Sequence, residues 1–356
     1  MSTKILDNRE LTALQPAQGL WQRYIPDQAA YHFQAQTAAE ARAWQAEVAP
    51  RLEQQLGFQG WPAVSPEPQL IETVDKGDYW REKVLLKIGP DSLMPVYMLI
   101  PKQGPKPFPV VVAWHGHGYG VKDIVGLWQD GAERQTPEGY HKDFAVALCR
   151  RGLAVAAPEI SCFGERQTDF SYLKTDLGQS APTTCTHTAM LAFHLGGSVA
   201  GLRVQEGKRL IDYLETRADV DPTRLGAMGI SGGGMHTFFS TCIDPRIKAC
   251  VISGYYSTFR DSILAMHHCP CNFVPGLHQF GEMSDLVGLI APRPLLVEAG
   301  DYDPIFPIEA VKSSVEKARA IYQLFAAEAA VETDYFEGRH QISGRRAYDF
   351  LWENLS

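Results

Sequence analysis

The sequence predicts an α/β protein with a mostly parallel, twisted sheet, an antiparallel N-terminal hairpin and helices on both faces. Three observations support this fold class. Short β-branched apolar runs such as residues 110–114 are typical of strands buried on both faces of a parallel sheet. Helix-like segments alternate with such runs as far as the C-terminus. Strand-like residues 80–88 and 93–100 are separated by Gly-Pro-Asp-Ser, which indicates the hairpin.

The elements after the hairpin follow in a regular order. The predicted strands are short and rich in valine, isoleucine, leucine or alanine, and they cover residues 110–114, 153–157, 225–230, 249–253, 294–298 and 331–336. The predicted helices lie between or after them and cover residues 144–149, 199–214, a segment from about 233, 308–325 and 346–355. The helix at 308–325 carries apolar residues at i, i+3 and i+4 spacing, so it has one buried face.

The chain divides into an extension and one large domain. Residues 1–69 are expected to form an N-terminal helical extension, because strong helix formers fill residues 38–48 and a proline-rich stretch follows. Residues 70–356 are expected to form a single domain, since α/β sheets often exceed 250 residues. Two lid-like insertions, near 159–185 and 255–283, are expected to shape a pocket, because long loops often carry specificity.

Composition excludes several classes of partner. The chain has 33 Lys and Arg against 41 Asp and Glu, a net charge of −8, and no basic run, which disfavours nucleic acid and anionic membranes. The N-terminus lacks the apolar core of a secretion signal, and no stretch approaches about 18 apolar residues. Seven dispersed cysteines favour free thiols in the cytoplasm over a disulfide framework. We expect a small-molecule partner; a homo-oligomer through the N-terminal helices is left open.

Ser231 is the candidate nucleophile. It lies in Gly-Ile-Ser-Gly-Gly at residues 229–233, between a predicted strand and a predicted helix. A nucleophile on so tight a turn needs neighbours without Cβ atoms. The pattern alone is weak in a chain with 31 glycines, and the alternative is a phosphate-binding turn. That alternative requires Gly-x-Gly-x-x-Gly on the first strand and a later acidic residue, and neither is found.

A serine nucleophile needs a base and an acid, which follow it in the order acid, then histidine, in one large class of hydrolases. Asp301 and Asp303 lie directly after a predicted strand and compete for the acid position; the alternative for either is a helix N-cap. His340 is the sole histidine after them, in a loop between the last strand and the last helix. We therefore predict His340 as the general base.

Residues 115–118, here called the oxyanion loop, follow the first buried strand. The main-chain amides of Gly232 and His117 are the predicted oxyanion donors, with Gly118 as a second choice to His117. His115 and His117 have the alternative of binding a metal, but no third ligand is evident. Cys269-Pro-Cys271 is the one close cysteine pair, and without a second pair a structural or pocket-lining role is favoured over zinc.

Four motifs resemble a known group of enzymes. They are residues 115–118, residues 229–233, residues 291–297 with Gly300 and Asp303, and residues 338–340. Together they resemble the dienelactone-hydrolase-like and acetyl-xylan-esterase-like α/β hydrolases, in particular a bacterial group with a segment similar to residues 268–276. The resemblance covers about residues 70–356 and favours Asp303 as the acid.

The resemblance implies an α/β-hydrolase fold and a serine carboxylesterase that acts on small acyl esters, acetyl esters of sugars among them, without a metal or cofactor. Serine in place of the cysteine of dienelactone hydrolase argues against that enzyme's substrate. A lactonase or acyltransferase with the same triad, and a non-catalytic scaffold, remain the alternatives. The candidate pocket residues are Trp114, His115, Gly118, Tyr119, Phe163, Tyr255 and His268.

Overall fold

A computed structural model describes residues 8–173 and 183–356. Within these residues, nine strands form one sheet in the order β1-β2-β3-β5-β4-β6-β7-β8-β9. The strands are β1 (Gln69–Asp75), β2 (Tyr79–Gly89), β3 (Ser92–Pro101), β4 (Phe108–Trp114), β5 (Ala154–Pro158), β6 (Val220–Ile230), β7 (Ile247–Ser253), β8 (Leu295–Gly300) and β9 (Val331–Phe336).

The sheet is mixed but mostly parallel. Strands β1, β2 and β3 pair antiparallel, and β3 also pairs antiparallel with β5. From β5 to β9 every neighbouring pair is parallel. The predicted fold class, including the hairpin of β2 and β3, is therefore confirmed. The carboxyl ends of the parallel strands lie along one edge, where active sites of such sheets are built.

The described α-helices follow or precede these strands in the chain. They are α1 (Asn8–Ala13), α2 (Pro16–Arg23), α3 (Ala38–Leu56), α4 (Phe144–Arg150), α5 (Thr184–His194), α6 (Val199–Leu214), α7 (Gly232–Ile243), α8 (Met283–Leu286), α9 (Ile308–Gln323) and α10 (Ala347–Leu355). None of them is long and apolar enough to cross a membrane.

The core has two layers, one on each face of the sheet. Alternate residues of a strand point to opposite faces, so Val110 and Val112 of β4 join one cluster and Val111 joins the other. Helices α3, α6, α7 and α9 contribute to the first cluster, and α4 and α10 to the second. Helices therefore cover both faces, as predicted.

Helix α3 links the N-terminal residues to the sheet domain. It begins with a capping box, in which the Thr37 hydroxyl accepts from the Glu40 N–H and the Glu40 carboxylate accepts from the Thr37 N–H. Its Leu52 and Leu56 are buried in the larger core cluster. The Leu56 carbonyl accepts from the Ser198 N–H at 3.0 Å, just before α6. These contacts fix α3 against the main domain.

Most predicted elements occur within a few residues of their expected positions. Helix α6 has both predicted ends, whereas β6 starts at Val220 rather than at residue 225. Helix α5 was not predicted: several threonines, which disfavour helix interiors, obscure its pattern, but Thr183 caps its N-terminus. Residues 174–182 of the predicted first insertion lie outside the described residues.

Candidate active site

Ser231 lies on the sharp turn between β6 and α7. Its backbone angles are φ 58° and ψ −120°, in the region of positive φ that residues other than glycine rarely adopt. Its N–H donates to the Ser253 carbonyl at 3.0 Å, and its own carbonyl accepts from the Met235 N–H at 2.9 Å. The turn is therefore strained and firmly held, as a nucleophile elbow requires.

The glycines around Ser231 are required by close packing. A Cβ atom on Gly229 would lie 2.3 Å from the Gly233 carbonyl oxygen, and one on Gly233 would lie 1.9 Å from the Trp114 carbonyl oxygen. A Cβ atom on Gly232 would lie 2.9 Å from Nδ1 of His117. The steric reason inferred from the sequence therefore agrees with the packing at this turn.

Asp303 and His340 are in direct contact. The Asp303 Oδ2 atom accepts a hydrogen bond from His340 Nδ1 at 2.7 Å. Its other oxygen, Oδ1, accepts from the N–H groups of Ile305 and Phe306 at 2.8 and 3.2 Å. Asp303 is buried, whereas Asp301 is exposed to solvent. Of the two candidate acids, the structure brings Asp303 to the histidine.

The His340 imidazole stacks against two aromatic rings. The ring centres of Phe306 and His340 are 5.8 Å apart, and the two rings are inclined by 23°. The ring centres of Tyr140 and His340 are 5.5 Å apart, and these rings are inclined by 29°. Its Nε2 atom is buried and has no hydrogen-bond partner among the described residues. His340 and Ser231 line the same cavity. With Nδ1 occupied by Asp303, Nε2 is the nitrogen available to a nucleophile.

The oxyanion loop lies against the start of α7. A Cβ atom on Gly232 would be 4.0 Å from the His117 amide nitrogen, so the two predicted donors adjoin one another. His115 is buried, with its Nδ1 2.8 Å from the Gly116 carbonyl oxygen and its Nε2 3.1 Å from the Ile160 nitrogen. Both ring nitrogens of His115 are thus occupied by main-chain groups, which disfavours a metal shared by His115 and His117.

A buried charged network holds the oxyanion loop from behind. His141 Nε2 accepts from the Gly116 N–H at 2.8 Å, and Nδ1 donates to Asp123 at 2.8 Å. Arg134 also donates to Asp123, at 2.9 Å. Burial alone would raise the pKa of Asp123, but these hydrogen bonds outweigh it and lower the pKa to about 2. No local sequence pattern singles out these residues, which the sequence analysis missed.

Tyr140 joins the oxyanion loop to the histidine loop. Its hydroxyl donates to the His117 carbonyl at 2.5 Å, and its ring stacks on His340. Its own carbonyl accepts from the Ile342 N–H at 2.8 Å. The sequence analysis missed Tyr140 as well, because its partners lie far away in the chain.

Comparison with known proteins identifies the family of this chain. A family model matches residues 5–320, which is most of the chain. The chain belongs to the Abhydrolase family. It is therefore an α/β hydrolase, as the resemblance implied. The match includes the N-terminal helices, which the resemblance did not cover, and it ends before His340.

Individual proteins that are similar to this α/β hydrolase share between 16% and 27% sequence identity with it. "Putative hydrolase YtaP" of Bacillus subtilis (strain 168) is 27% identical over 250 residues, 68% of this chain and 76% of that protein. The crystal structure of a "putative acetyl xylan esterase" of Bacteroides fragilis matches with a TM-score of 0.74 at 16% identity, over 94% of this chain and 83% of the other. A glucuronoyl esterase from Solibacter usitatus matches with a TM-score of 0.65 at 16% identity, over 92% and 97%. At these identities the solved structures show a shared fold.

Glu298 of this hydrolase ties the histidine loop to the sheet. It is fully buried within β8 and accepts from the Ser253 hydroxyl at 2.8 Å and from the Ser343 and Gly344 N–H groups at 2.9 and 3.0 Å. Burial raises the pKa of its carboxyl group. The signal was present in the sequence: Glu298 is a charged residue at the end of an apolar strand, where burial requires partners.

The cavity beside Ser231 has a volume of about 280 Å³. Its lining mixes histidines with an amide, a thiol and a few apolar side chains, and consists of His117, Tyr140, Ser231, Gly232, Met266, His267, His268, Cys269, Asn272, Ile305, Phe306 and His340. His268 is the one predicted pocket residue that lines it within the described chain. Burial, and then the nearby His117, lower the pKa of His268.

The other predicted pocket residues lie outside this lining, and the prediction is corrected for them. Trp114 is fully buried because its ring stacks on His236 at 4.2 Å in the core. Tyr255 is buried behind Phe306, with ring centres 5.4 Å apart. Both aromatic rings are core residues rather than parts of the cavity surface.

The remaining corrections concern loop residues. Phe163 packs edge-on against His115 and His117, at 5.4 and 5.1 Å, behind the oxyanion loop. His115 is buried, as its hydrogen bonds require. Tyr119 turns its hydroxyl to the Leu127 carbonyl at 2.8 Å. Gly118 is exposed beside the Asp123 network. A Cβ atom added to Gly118 would lie 3.3 Å from Asp123 Oδ2.

Two buried histidines make stability depend on pH. Burial lowers the pKa of His141 and lowers that of His236 well below 6.5. Below pH 6.5 the unfolded chain then binds more protons than the folded protein, so the free energy of unfolding falls as the pH drops. We expect His236→Phe to weaken this fall, measured by urea unfolding between about pH 5 and 7. The substitution keeps a ring beside Trp114.

The matched control is His194→Gln, because His194 is exposed. It should leave the slope of unfolding free energy against pH as in the wild-type protein. An unchanged slope in His236→Phe would contradict the assignment of His236 as a buried neutral imidazole.

Proposed function

We propose that this α/β hydrolase is a serine carboxylesterase that works through an acyl-enzyme intermediate. The observation that carries the proposal is the combination of a strained Ser231 with a His340 whose Nδ1 is bound to Asp303 and whose Nε2 is unpartnered among the described residues. Ser231 and His340 open into one cavity. This is the arrangement of a nucleophile, a base and an orienting acid.

In the first step, the Ser231 hydroxyl attacks the ester carbonyl while His340 Nε2 takes its proton. The Asp303 carboxylate holds the imidazole by Nδ1 and stabilises the imidazolium that forms. The main-chain amides of Gly232 and His117 would donate to the oxyanion of the tetrahedral intermediate. Collapse of that intermediate breaks the bond to the alcohol, which leaves with the proton from His340.

In the second step, water replaces the alcohol. His340 removes a proton from the water as its oxygen attacks the acyl carbonyl, and the proton then returns to Ser231 when the acid departs. These steps use side chains, main-chain amides and water, and no cofactor enters them. The seven free cysteines support a reducing compartment such as the cytoplasm as the place of action.

The cavity supports a small acyl group as substrate. Its volume is about 280 Å³, and histidines and Asn272 make up much of its lining. Each methylene of a longer acyl chain gains about 0.8 kcal/mol only where it is buried, and a cavity of about 280 Å³ leaves little room to bury a long chain. The histidines and Asn272 of the lining can form hydrogen bonds with the hydroxyl groups of a sugar, and similarity to a protein named as a putative acetyl xylan esterase supports acetyl esters of sugars.

A series of nitrophenyl esters of increasing acyl length, run beside acetylated sugars, tests this specificity. We expect kcat/KM to be highest for acetyl and to fall by more than about tenfold by about eight carbons, as the acyl chain outgrows the cavity. Ser231→Ala supplies the background rate. A maximum at about eight carbons or longer would contradict the small-acyl proposal, while a lack of turnover on every ester would contradict esterase activity itself.

A further inference from the structure

Three cysteines and a histidine from separate parts of the chain meet beside the cavity. Their sulfur and nitrogen donor atoms all lie within 4.8 Å of one another. One comes from the oxyanion loop, one from α5 and two from the loop before α8. We call this group the thiol–imidazole cluster; its members are His117, Cys185, Cys269 and Cys271.

Two of the four residues in the cluster are buried and the other two are partly buried. Cys271 is fully buried and Cys185 is 5% exposed. The His117 Nε2 atom lies 3.6 Å from the Cys271 sulfur. Because thiols are weak hydrogen-bonding groups, such contacts alone give little reason for an imidazole to turn into a group of sulfurs.

We propose that the thiol–imidazole cluster is a zinc site with three thiolate ligands and one imidazole ligand. Thiolate and imidazole are the ligands that Zn²⁺ prefers, in tetrahedral geometry with Zn–S bonds of about 2.3 Å. A tetrahedron of that size separates its sulfur atoms by about 3.8 Å. The observed separations, up to 4.8 Å, therefore need small side-chain movements to close around one ion. An iron–sulfur cluster needs wider spacing, because iron and sulfide stand between its cysteines.

A buried arginine supplies the matching charge. Arg203 of α6 is fully buried, and its Nη2 lies 3.1 Å from the Ser161 carbonyl oxygen and 3.9 Å from the Cys185 sulfur. Its Nε and Nη1 atoms have no hydrogen-bond partner, and no carboxylate pairs with it among the described residues. A buried cation without a counterion is costly.

Zinc binding would provide that counterion. Binding one Zn²⁺ releases the protons of three thiols and leaves a complex with a charge of −1. The Arg203 guanidinium beside Cys185 then makes the buried group neutral overall. The arginine and the cluster therefore point independently to the same ligand.

A disulfide is the main alternative for these cysteines. All seven cysteines of the chain are free in this structure. A disulfide would join two of the three sulfurs and carry no charge, so it would not supply a counterion for Arg203. It would leave the third thiol, the His117 imidazole and Arg203 without an explanation.

Four protein ligands close the coordination sphere, so the zinc would be structural rather than catalytic. It would tie the oxyanion loop, through the His117 side chain, to α5 and to the loop at residues 269–271. The His117 amide remains available as a hydrogen-bond donor. The cysteine pair gave no zinc prediction from the sequence because the other two ligands lie far from it in the chain.

Metal analysis of the purified chain tests the proposal without any substrate, so its outcome is separate from that of the esterase proposal. After expression in medium with added zinc and removal of weakly bound metal, we expect elemental mass spectrometry to find about one zinc ion per chain. Exchange with Co²⁺ should give the thiolate-to-cobalt charge-transfer band and the visible bands of a tetrahedral site. Cys185→Ser and Cys269→Ser should each lose most of the bound metal.

Cys149→Ser is the matched control, because Cys149 is a buried thiol on the opposite face of the sheet, and it should retain the metal. If the cluster variants do not fold, the cobalt spectrum and the zinc content of the wild-type chain test the proposal on their own. Folded wild-type protein without zinc and without a cobalt charge-transfer band would overturn the proposal. So would an intact mass, measured without reductant, that is two hydrogens lighter than the free-thiol chain, since it would reveal a disulfide.

Discussion

Replacing Ser231 with alanine is expected to lower kcat for ester hydrolysis by about 10⁶-fold. The substitution removes the oxygen that forms the acyl-enzyme, and the remaining amides and cavity can only bind the ester. The turn should persist, because it is fixed by main-chain hydrogen bonds to Ser253 and Met235. Steady-state kinetics on nitrophenyl acetate measure the loss, and circular dichroism checks the fold.

Ser240→Ala is the matched control for this prediction. Ser240 lies in α7, is buried, and its hydroxyl has no partner among the described residues. It should keep kcat close to that of the wild-type enzyme. A folded Ser231→Ala variant that retains more than about a hundredth of the wild-type kcat would contradict the role of Ser231.

Replacing Asp303 with asparagine is expected to lower kcat by about 10⁴-fold. The amide keeps the size of the side chain, but it no longer requires the proton to sit on His340 Nδ1 and does not stabilise the imidazolium. The hydrogen bond of 2.7 Å between Asp303 and His340 is the contact at issue. The loss should appear in kcat, because it concerns a charge that develops in the transition state.

Asp301→Asn provides the comparison for Asp303. Asp301 is exposed two residues away, on the same loop, so the same substitution there should change kcat by less than about threefold. A large loss in Asp301→Asn together with near-normal turnover in Asp303→Asn would reverse the assignment of the acid.

The sequence predicted the sheet well because its central strands are buried on both faces. Such strands need unbroken apolar runs, and the predicted run at residues 110–114 lies within β4. Helix α9 was predictable from its apolar stripe, and the turn at Ser231 from its glycines. In each case the physical requirement acts on residues that are neighbours in the chain.

The parts of the site that were missed depend on contacts between distant segments. Tyr140 meets His117 and His340 only after the sheet has assembled, and His141 reaches Gly116 in the same way. The spacing of residues along the sequence does not predict such contacts. The mistaken pocket residues have the same cause: aromatic rings such as Trp114 near a strand end gave no sign of which side they would face.

Labelling with a fluorophosphonate, followed by peptide mapping, tests the central claim most directly, since the reagent reacts with a serine activated by a base. We predict one adduct per chain, located on Ser231, and no adduct in the Ser231→Ala variant. A folded wild-type chain that stays unlabelled, or equal labelling of the Ser231→Ala variant, would contradict the account.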